Sequence, residues 1–184
     1  MSASACYVIK ARQESISGLR LPLSSNMQKL TQGIDQIEID YISTLPDADR
    51  ERIFAFYQKQ RQKELYFGTT LYGPHRDDLQ INIEKRSVKT FSSEGQKRSL
   101  IAALRLSEWQ KVQTIIDAAP LFCIDDFSSY LDSSRLENLQ REMDAMGQVF
   151  LTSPHLIDGL FPERQLLHIE GGKIHGGLQE IRTL

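Results

Sequence analysis

The sequence predicts an α/β fold, because short buried-strand patterns alternate with helical patterns along its second half. Three observations carry this. The run LFCI (121–124) is apolar and is bounded by Pro120 on one side and Asp125-Asp126 on the other. QVFLTS (148–153) is a second short apolar run. A helix from about Ser99 to Asp117 precedes the first run, and a polar helix over 133–146 separates the two. Apolar runs of this length, set between helices, fit strands of a parallel sheet that are buried on both faces.

The remaining elements are taken in chain order. Residues 4–31 are good helix formers interrupted around Gly18 and Pro22, which predicts one helix, a break and a second short helix. QIEIDYIS (36–43) alternates, with Ile37, Ile39 and Tyr41 on one side of a strand. Asp47 is the expected N-cap of a helix that Gly68 ends, and Asp49 and Glu51 suit its positive end. A Gly73-Pro74 turn then leads to a strand through Leu79, Ile81 and Ile83. In the helix from Ser99, Ile101, Leu104, Trp109, Val112, Ile115 and Ile116 share one broad face, and Arg105 and Glu108 are spaced to pair. LLHIE, Gly171-Gly172 and KIH close the chain as a hairpin. The change of texture near residue 67 places a mainly helical piece at 1–66 and the α/β body at 67–184.

Bulk properties narrow the function. The chain has 184 residues, enough for one domain with a smaller appendage. A formal charge of -2 gives no support for autonomous DNA binding, which usually shows a basic excess. The basic runs 59–63 and Lys85-Arg86 read first as solvated faces, and second as DNA-phosphate contacts. No apolar run approaches the ~18 residues of a membrane span, and the start MSASACYVIKARQ lacks a secretory apolar stretch, so the expected location is cytoplasmic. Cys6 and Cys123 show no metal-ligand spacing and are expected as reduced thiols.

The chemistry concentrates in two places. Two acids directly after four apolar residues are costly unless something uses them. Ligands of α/β sheets bind beyond the carboxyl ends of strands, and magnesium takes carboxylate oxygens together with phosphate oxygens and water. Asp125 is therefore the candidate metal ligand, and Asp126 the candidate that polarises or orients an attacking water. Asp is also common at strand ends, so a plain turn is the competing reading. Upstream, Ser93 and Gly95 stand at a helix start, where unpaired N–H groups and the helix dipole make an anion site. Ser92 or Ser93 is equally an ordinary N-cap, and the two roles are compatible.

The ordered motifs resemble a known family. FSSEGQKRS is similar to the signature sequence of ABC-type ATPases, with Ser93, Gly95 and Gln96 matching its serine, second glycine and glutamine. LFCIDD followed by FSSYLDSSR is similar to a Walker B strand and its D-loop, with Asp132 as the loop aspartate after Leu131. Together with GPHRDD (73–78), these strings resemble the RecF family of bacterial recombination and repair proteins, whose head is related to SMC and ABC ATPases. The resemblance is specific from about Thr69 to Phe150 and looser before it. It implies the second lobe of an ABC/SMC-type head, with 1–66 as a small arm remnant.

The resemblance further implies ATP and Mg2+ as cofactors, a head-to-head homodimer with ATP sandwiched between heads, and double-stranded or gapped DNA as partner. RecR and RecO would be the repair partners, in loading of RecA. Ser93, Gly95 and Gln96 would contact the nucleotide of the opposite subunit, and Asp125 and Asp126 would serve their own. His75 and Arg76 would face DNA or phosphate, or Arg76 would pair with Asp77, Asp78 or another acid.

Departures from the family pattern are expected to matter. Glu94 occupies the first signature glycine position and adds negative charge, and Tyr130 replaces the acid that usually precedes Leu-Asp. His155 is a candidate switch histidine, displaced from the usual junction by Pro154, and is otherwise a surface histidine. No G-x-x-x-x-G-K-[ST] phosphate loop occurs in the sequence. The expected chain is thus half of an ATP site, inactive without an amino-terminal lobe. A non-catalytic interaction or DNA-binding module is the alternative, and a metal-dependent hydrolase ranks behind both for want of further ligand-spaced residues.

Overall fold

The computed structural model describes residues 1–127, 132–155 and 165–180, with side chains described through 175. It divides into two compact units, Met1–Pro120 and Leu121–Leu184.

The first unit opens with one helix, α1 (Ser2–Thr31), which runs through Pro22 without the expected break. An interior proline costs ~3 kcal/mol through a lost hydrogen bond and a clash with the carbonyl four residues earlier, here that of Gly18. Packing overrides this cost. Leu23, Met27 and Leu30 lie fully buried in the turns after the proline, and each such side chain contributes ~1.5–3 kcal/mol. Lys111 Nζ also donates to the Ser15 carbonyl at 3.2 Å, holding the turn before Gly18.

Strand β1 (Ile37–Ile42) places Ile37 and Ile39 in the core, with Tyr41 half-buried on the same side. Helix α2 (Arg50–Phe67) starts later than expected, because Asp49 rather than Asp47 is its cap and accepts from Arg52 N–H at 2.8 Å. Asp47 is instead drawn to Ala48 N–H and the Arg52 guanidinium. Gly68, at φ 64, ends the helix in the left-handed conformation that glycine adopts freely.

β2 (Asp78–Ile83) pairs antiparallel with β1, from Ile37 opposite Ile83 to Ile42 opposite Asp78. This sheet crosses the boundary expected near residue 66. The first 66 residues therefore share a sheet with β2, and the compact units part at Pro120 instead. A short β3 (Arg86–Ser87) extends the sheet, succeeded by α3 (Val88–Phe91). Both went unpredicted, because the turn between β2 and β3 is made by Glu84 and Lys85 at φ 50 and 62 rather than by glycine or asparagine.

Helix α4 (Glu94–Ile116) begins five residues before the expected Ser99. Its polar first turn carries no apolar period, so pattern alone starts it late. Its buried face also differs from the predicted one. Ser99, Leu100, Ala103, Leu106, Ser107 and Trp109 are buried, while Ile101, Val112, Ile115 and Ile116 are exposed. Small residues at four-residue spacing admit a close neighbour, and α1 packs along α4. Asn26 of α1 donates to Ser107 Oγ at 2.9 Å and to Gln110 Oε1 at 3.1 Å, so the contact is satisfied by polar partners as well as apolar ones. Arg105 and Glu108 pair at 2.7 Å, as their spacing predicts.

The second unit contains β4 (Phe122–Ile124) and β5 (Val149–Leu151), parallel, with Cys123 opposite Phe150. Helix α5 (Ser133–Asp144) joins the chain between them and buries Leu136, Leu139 and Met143. The two strands are not buried on both faces: Cys123 and Phe150 are exposed, and the pair gains no third strand among the described residues. β6 (Gln165–Glu170) and β7 (Lys173–Glu180) form the expected hairpin, with Gly171 and Gly172 at φ 57 and 73 in its turn. Both cysteines are free thiols. Among the described residues no helix is long and apolar enough to cross a membrane.

Candidate functional site

Ser93, Gly95 and Gln96 lie at the start of α4. Ser93 is the N-cap: its Oγ accepts from Gln96 N–H at 3.2 Å, and Gln96 Oε1 accepts from Ser93 N–H at 3.0 Å. This is a complete capping box. Gln96 Nε2 also donates to Asp35 Oδ1 at 2.8 Å, so both ends of its amide are engaged within the unit. Asp35 is 3% exposed and was not singled out from the sequence, since nothing in a loop aspartate announces a partner 61 positions away. Ser93 is exposed, and its hydroxyl proton remains available to a ligand at the positive end of a long helix. Gly95 is half-buried, and Glu94 pairs at 3.4 Å with Arg98, which offsets part of its charge.

The GPHRDD segment divides into structural and solvent-facing residues. Asp77 ties the end of β1 to the start of β2: it accepts from the Tyr41 hydroxyl, from Thr44 N–H at 2.8 Å and from Thr44 Oγ1 at 3.0 Å. Burial and the adjacent Asp77 carboxylate together raise the Tyr41 pKa above its ordinary value. Asp78 bonds Lys89, whose ammonium, helped by Leu79 N–H, holds its carboxyl below the usual range. Among the described residues, Arg76 pairs with no acid. It donates to the Thr70 carbonyl at 3.3 Å, and the exposed His75 ring lies 3.4 Å from the same oxygen. Gly73 is required by geometry: its φ is 136, and a Cβ there would meet the His75 ring and the Tyr57 hydroxyl at 3.2 Å.

In the second unit, Asp125 and Asp126 stand just past the carboxyl end of β4. Asp125 is exposed and Asp126 half-buried. Thr152, directly after β5, joins them: its hydroxyl donates to Asp125 Oδ1 and accepts from Asp126 N–H at 2.9 Å. Asp126 adopts φ 53, a left-handed conformation that aspartate tolerates better than most residues. Thr152 was missed as a site residue because a threonine ending a strand carries no signal until the parallel pairing sets it beside β4.

Asp132 caps α5, accepting from Arg135 N–H at 3.0 Å, and pairs with the Arg135 side chain at 3.4 Å. Leu131 and Tyr130 of the same loop lie outside the described residues. His155 is exposed, and its backbone closes a small turn with Ser153. Its imidazole makes no hydrogen bond among the described residues.

The donor set fits the chemistry inferred from it. Two accessible carboxylates at a strand terminus supply hard oxygen ligands of the kind magnesium accepts. Among the described residues no three His, Cys, Asp or Glu side chains gather into a metal cage. A cation here would complete its shell with water and phosphate oxygens, as magnesium commonly does.

Comparison with known proteins agrees with the motifs. No family model matches the chain. It is 34% identical over 174 residues to the DNA replication and repair protein RecF of Protochlamydia amoebophila (strain UWE25), covering 90% of this chain and 48% of that protein. It is 30% identical to the protein of the same name from Nostoc punctiforme, covering 95% of this chain and 49% of that one. The fold matches a solved structure of the recombination mediator protein RecF-ATP in the RecFOR pathway with a TM-score of 0.77 at 22% identity, over 95% of this chain and 47% of that one. The chain is similar to RecF proteins over nearly all of its own length and spans about half the length of the curated relatives it matches.

Proposed function

We propose that this chain is the second-lobe part of a RecF-type ATPase head, acting in DNA replication, repair and recombination in the cytoplasm. The observation that carries the reading is the placement of Asp125 and Asp126 at the carboxyl end of a parallel strand, with both acids tied to the neighbouring strand. Asp125 would hold Mg2+, and Asp126 would orient the water that attacks the terminal phosphate. Bound Mg-ATP would supply the electrophilic phosphate and screen its charge. Ser93 and the first turn of α4 would meet the phosphates of a nucleotide held by a second head, in a head-to-head dimer. Gln96 supports this by holding Ser93 in the capping box. Asp132 would set the D-loop through its cap on α5. DNA and RecR- or RecO-type proteins are the partners that similarity to RecF proteins suggests, and residues 1–66 would belong to the arm. His75 and Arg76 are the solvent-facing residues of GPHRDD suited to DNA phosphate.

Calorimetry tests the reading. The chain alone should bind Mg-ATP negligibly, since no phosphate loop occurs in its sequence; tight binding overturns the half-site. Supplied with a lobe bearing GxxxxGK[ST], turnover should appear and be lost in Ser93→Arg and Asp126→Asn. Unchanged turnover in either variant refutes its assignment. The engagement of both ends of the Gln96 amide favours a second reading, a non-catalytic module. That reading gains if the reconstituted protein hydrolyses no ATP yet still binds DNA.

A further inference from the structure

Thr152 makes four hydrogen bonds around the acid pair. Its hydroxyl donates to Asp125 Oδ1 and accepts from Asp126 N–H at 2.9 Å. Its backbone N–H donates to the Ile124 carbonyl at 3.0 Å, and its carbonyl accepts from Phe127 N–H at 2.8 Å. One residue thus brackets positions 124–127, the end of β4 and the turn that carries both acids.

The hydroxyl does what the backbone bonds cannot. By donating to one carboxylate oxygen it selects a single orientation of the Asp125 side chain, and leaves Oδ2 as the oxygen without a partner among the described residues. By accepting from Asp126 N–H it satisfies the amide of a residue held at φ 53, a conformation that persists only where surroundings over-determine it. A threonine hydroxyl can donate once and accept as well, so both bonds coexist. A valine of the same shape can make neither.

We infer that Thr152 is the positioning residue of the acid pair: its hydroxyl presents Asp125 Oδ2 to a divalent cation and holds the Asp126 backbone in its left-handed turn. The inference rests on the reading of Asp125 as a cation ligand. Groups that orient a ligand in this way are worth about 10- to 100-fold in metal affinity.

The test is made by NMR on the full chain without nucleotide, with Mn2+ as probe. In the wild type, Mn2+ should broaden the Asp125 and Asp126 amide resonances, and the Asp126 amide should be protected from solvent exchange. Thr152→Val should need about 10-fold more Mn2+ for the same broadening and lose the protection, while Thr152→Ser, which keeps the hydroxyl, should retain both. Unchanged Mn2+ response in Thr152→Val, with Asp125→Asn abolishing it, overturns the role of Thr152 and leaves the metal reading standing. No broadening at Asp125 in the wild type overturns both. Should Thr152→Val fail to fold, an unprotected Asp126 amide in the wild type is itself sufficient to overturn the inference.

Discussion

Gln96 and Asp35 are joined side chain to side chain at 2.8 Å, and this bond links the first turn of α4 to the loop between α1 and β1. The same Gln96 amide closes the capping box with Ser93. Gln96 is therefore engaged through both ends of its amide within the first unit. Gln96→Ala removes the box and leaves a buried carboxylate without its donor, which should destabilise the first unit by about 1–3 kcal/mol. Trp109, the single tryptophan, is buried in that unit and reports its unfolding in urea. A cycle with Asp35→Ala should show coupling of about 0.5–3 kcal/mol. Additive effects would mean the two side chains act separately.

Asp77 is expected to be structural where His75 and Arg76 are not. Asp77→Ala strands the Tyr41 and Thr44 donors and should cost about 2–3 kcal/mol by the same fluorescence assay. His75→Ala and Arg76→Ala should change stability by no more than about 0.5 kcal/mol, because both side chains are exposed and reach a single carbonyl. If they meet DNA phosphate, each also lowers DNA affinity and the steepness of its salt dependence. A stability loss in Arg76→Ala comparable to that of Asp77→Ala would contradict this division.

Alkaline pH should weaken the first unit. Burial, then the Asp77 carboxylate, raises the Tyr41 pKa, and burial with Glu64 and Asp77 raises that of Tyr57. A raised pKa means the unfolded chain loses its proton first. The contribution is therefore fully present below about pH 10, the ordinary tyrosine value, and is lost as pH rises through the higher folded values. Urea midpoints should fall as pH rises past about 10, and Tyr41→Phe should flatten that fall in part. A midpoint independent of pH in the wild type would count against the burial of both phenols.

Pro22→Ala should stabilise α1. The helix is continuous through this position, so alanine restores an N–H and relieves the clash at Gly18. The expected gain is about 1–3 kcal/mol, against a loss of up to about 1 kcal/mol from the freer unfolded chain. A net loss of stability would show that the helix depends on the proline.

Some features were legible because they are local. Apolar alternation at Ile37, Ile39 and Tyr41, the glycine pair at 171–172, and the three-residue spacing of Arg105 and Glu108 each act over a few residues, so their outcome is set by residue type and order. The motif order was legible for the same reason, and it carries the family resemblance.

What failed was set by neighbours distant in sequence. α1 runs through Pro22 because the turns after it are buried. α4 hides Ser99, Ala103 and Ser107 rather than Ile101 and Ile115, because its neighbour comes close and meets it with Asn26. Apolar periodicity reports which faces tend to be buried, not which neighbour they find.

The sequence by itself determined the residue types at the proposed half-site: Ser93 and Gly95 near a helix start, Asp125 and Asp126 after a strand. Only the tertiary structure decided how they are held. Asp35 reaches Gln96, and Thr152 reaches both acids, because folding brings side chains 61 and 27 positions apart to within one hydrogen bond. A hydrogen bond acts at contact distance, and no local pattern records which remote residue will supply the other half.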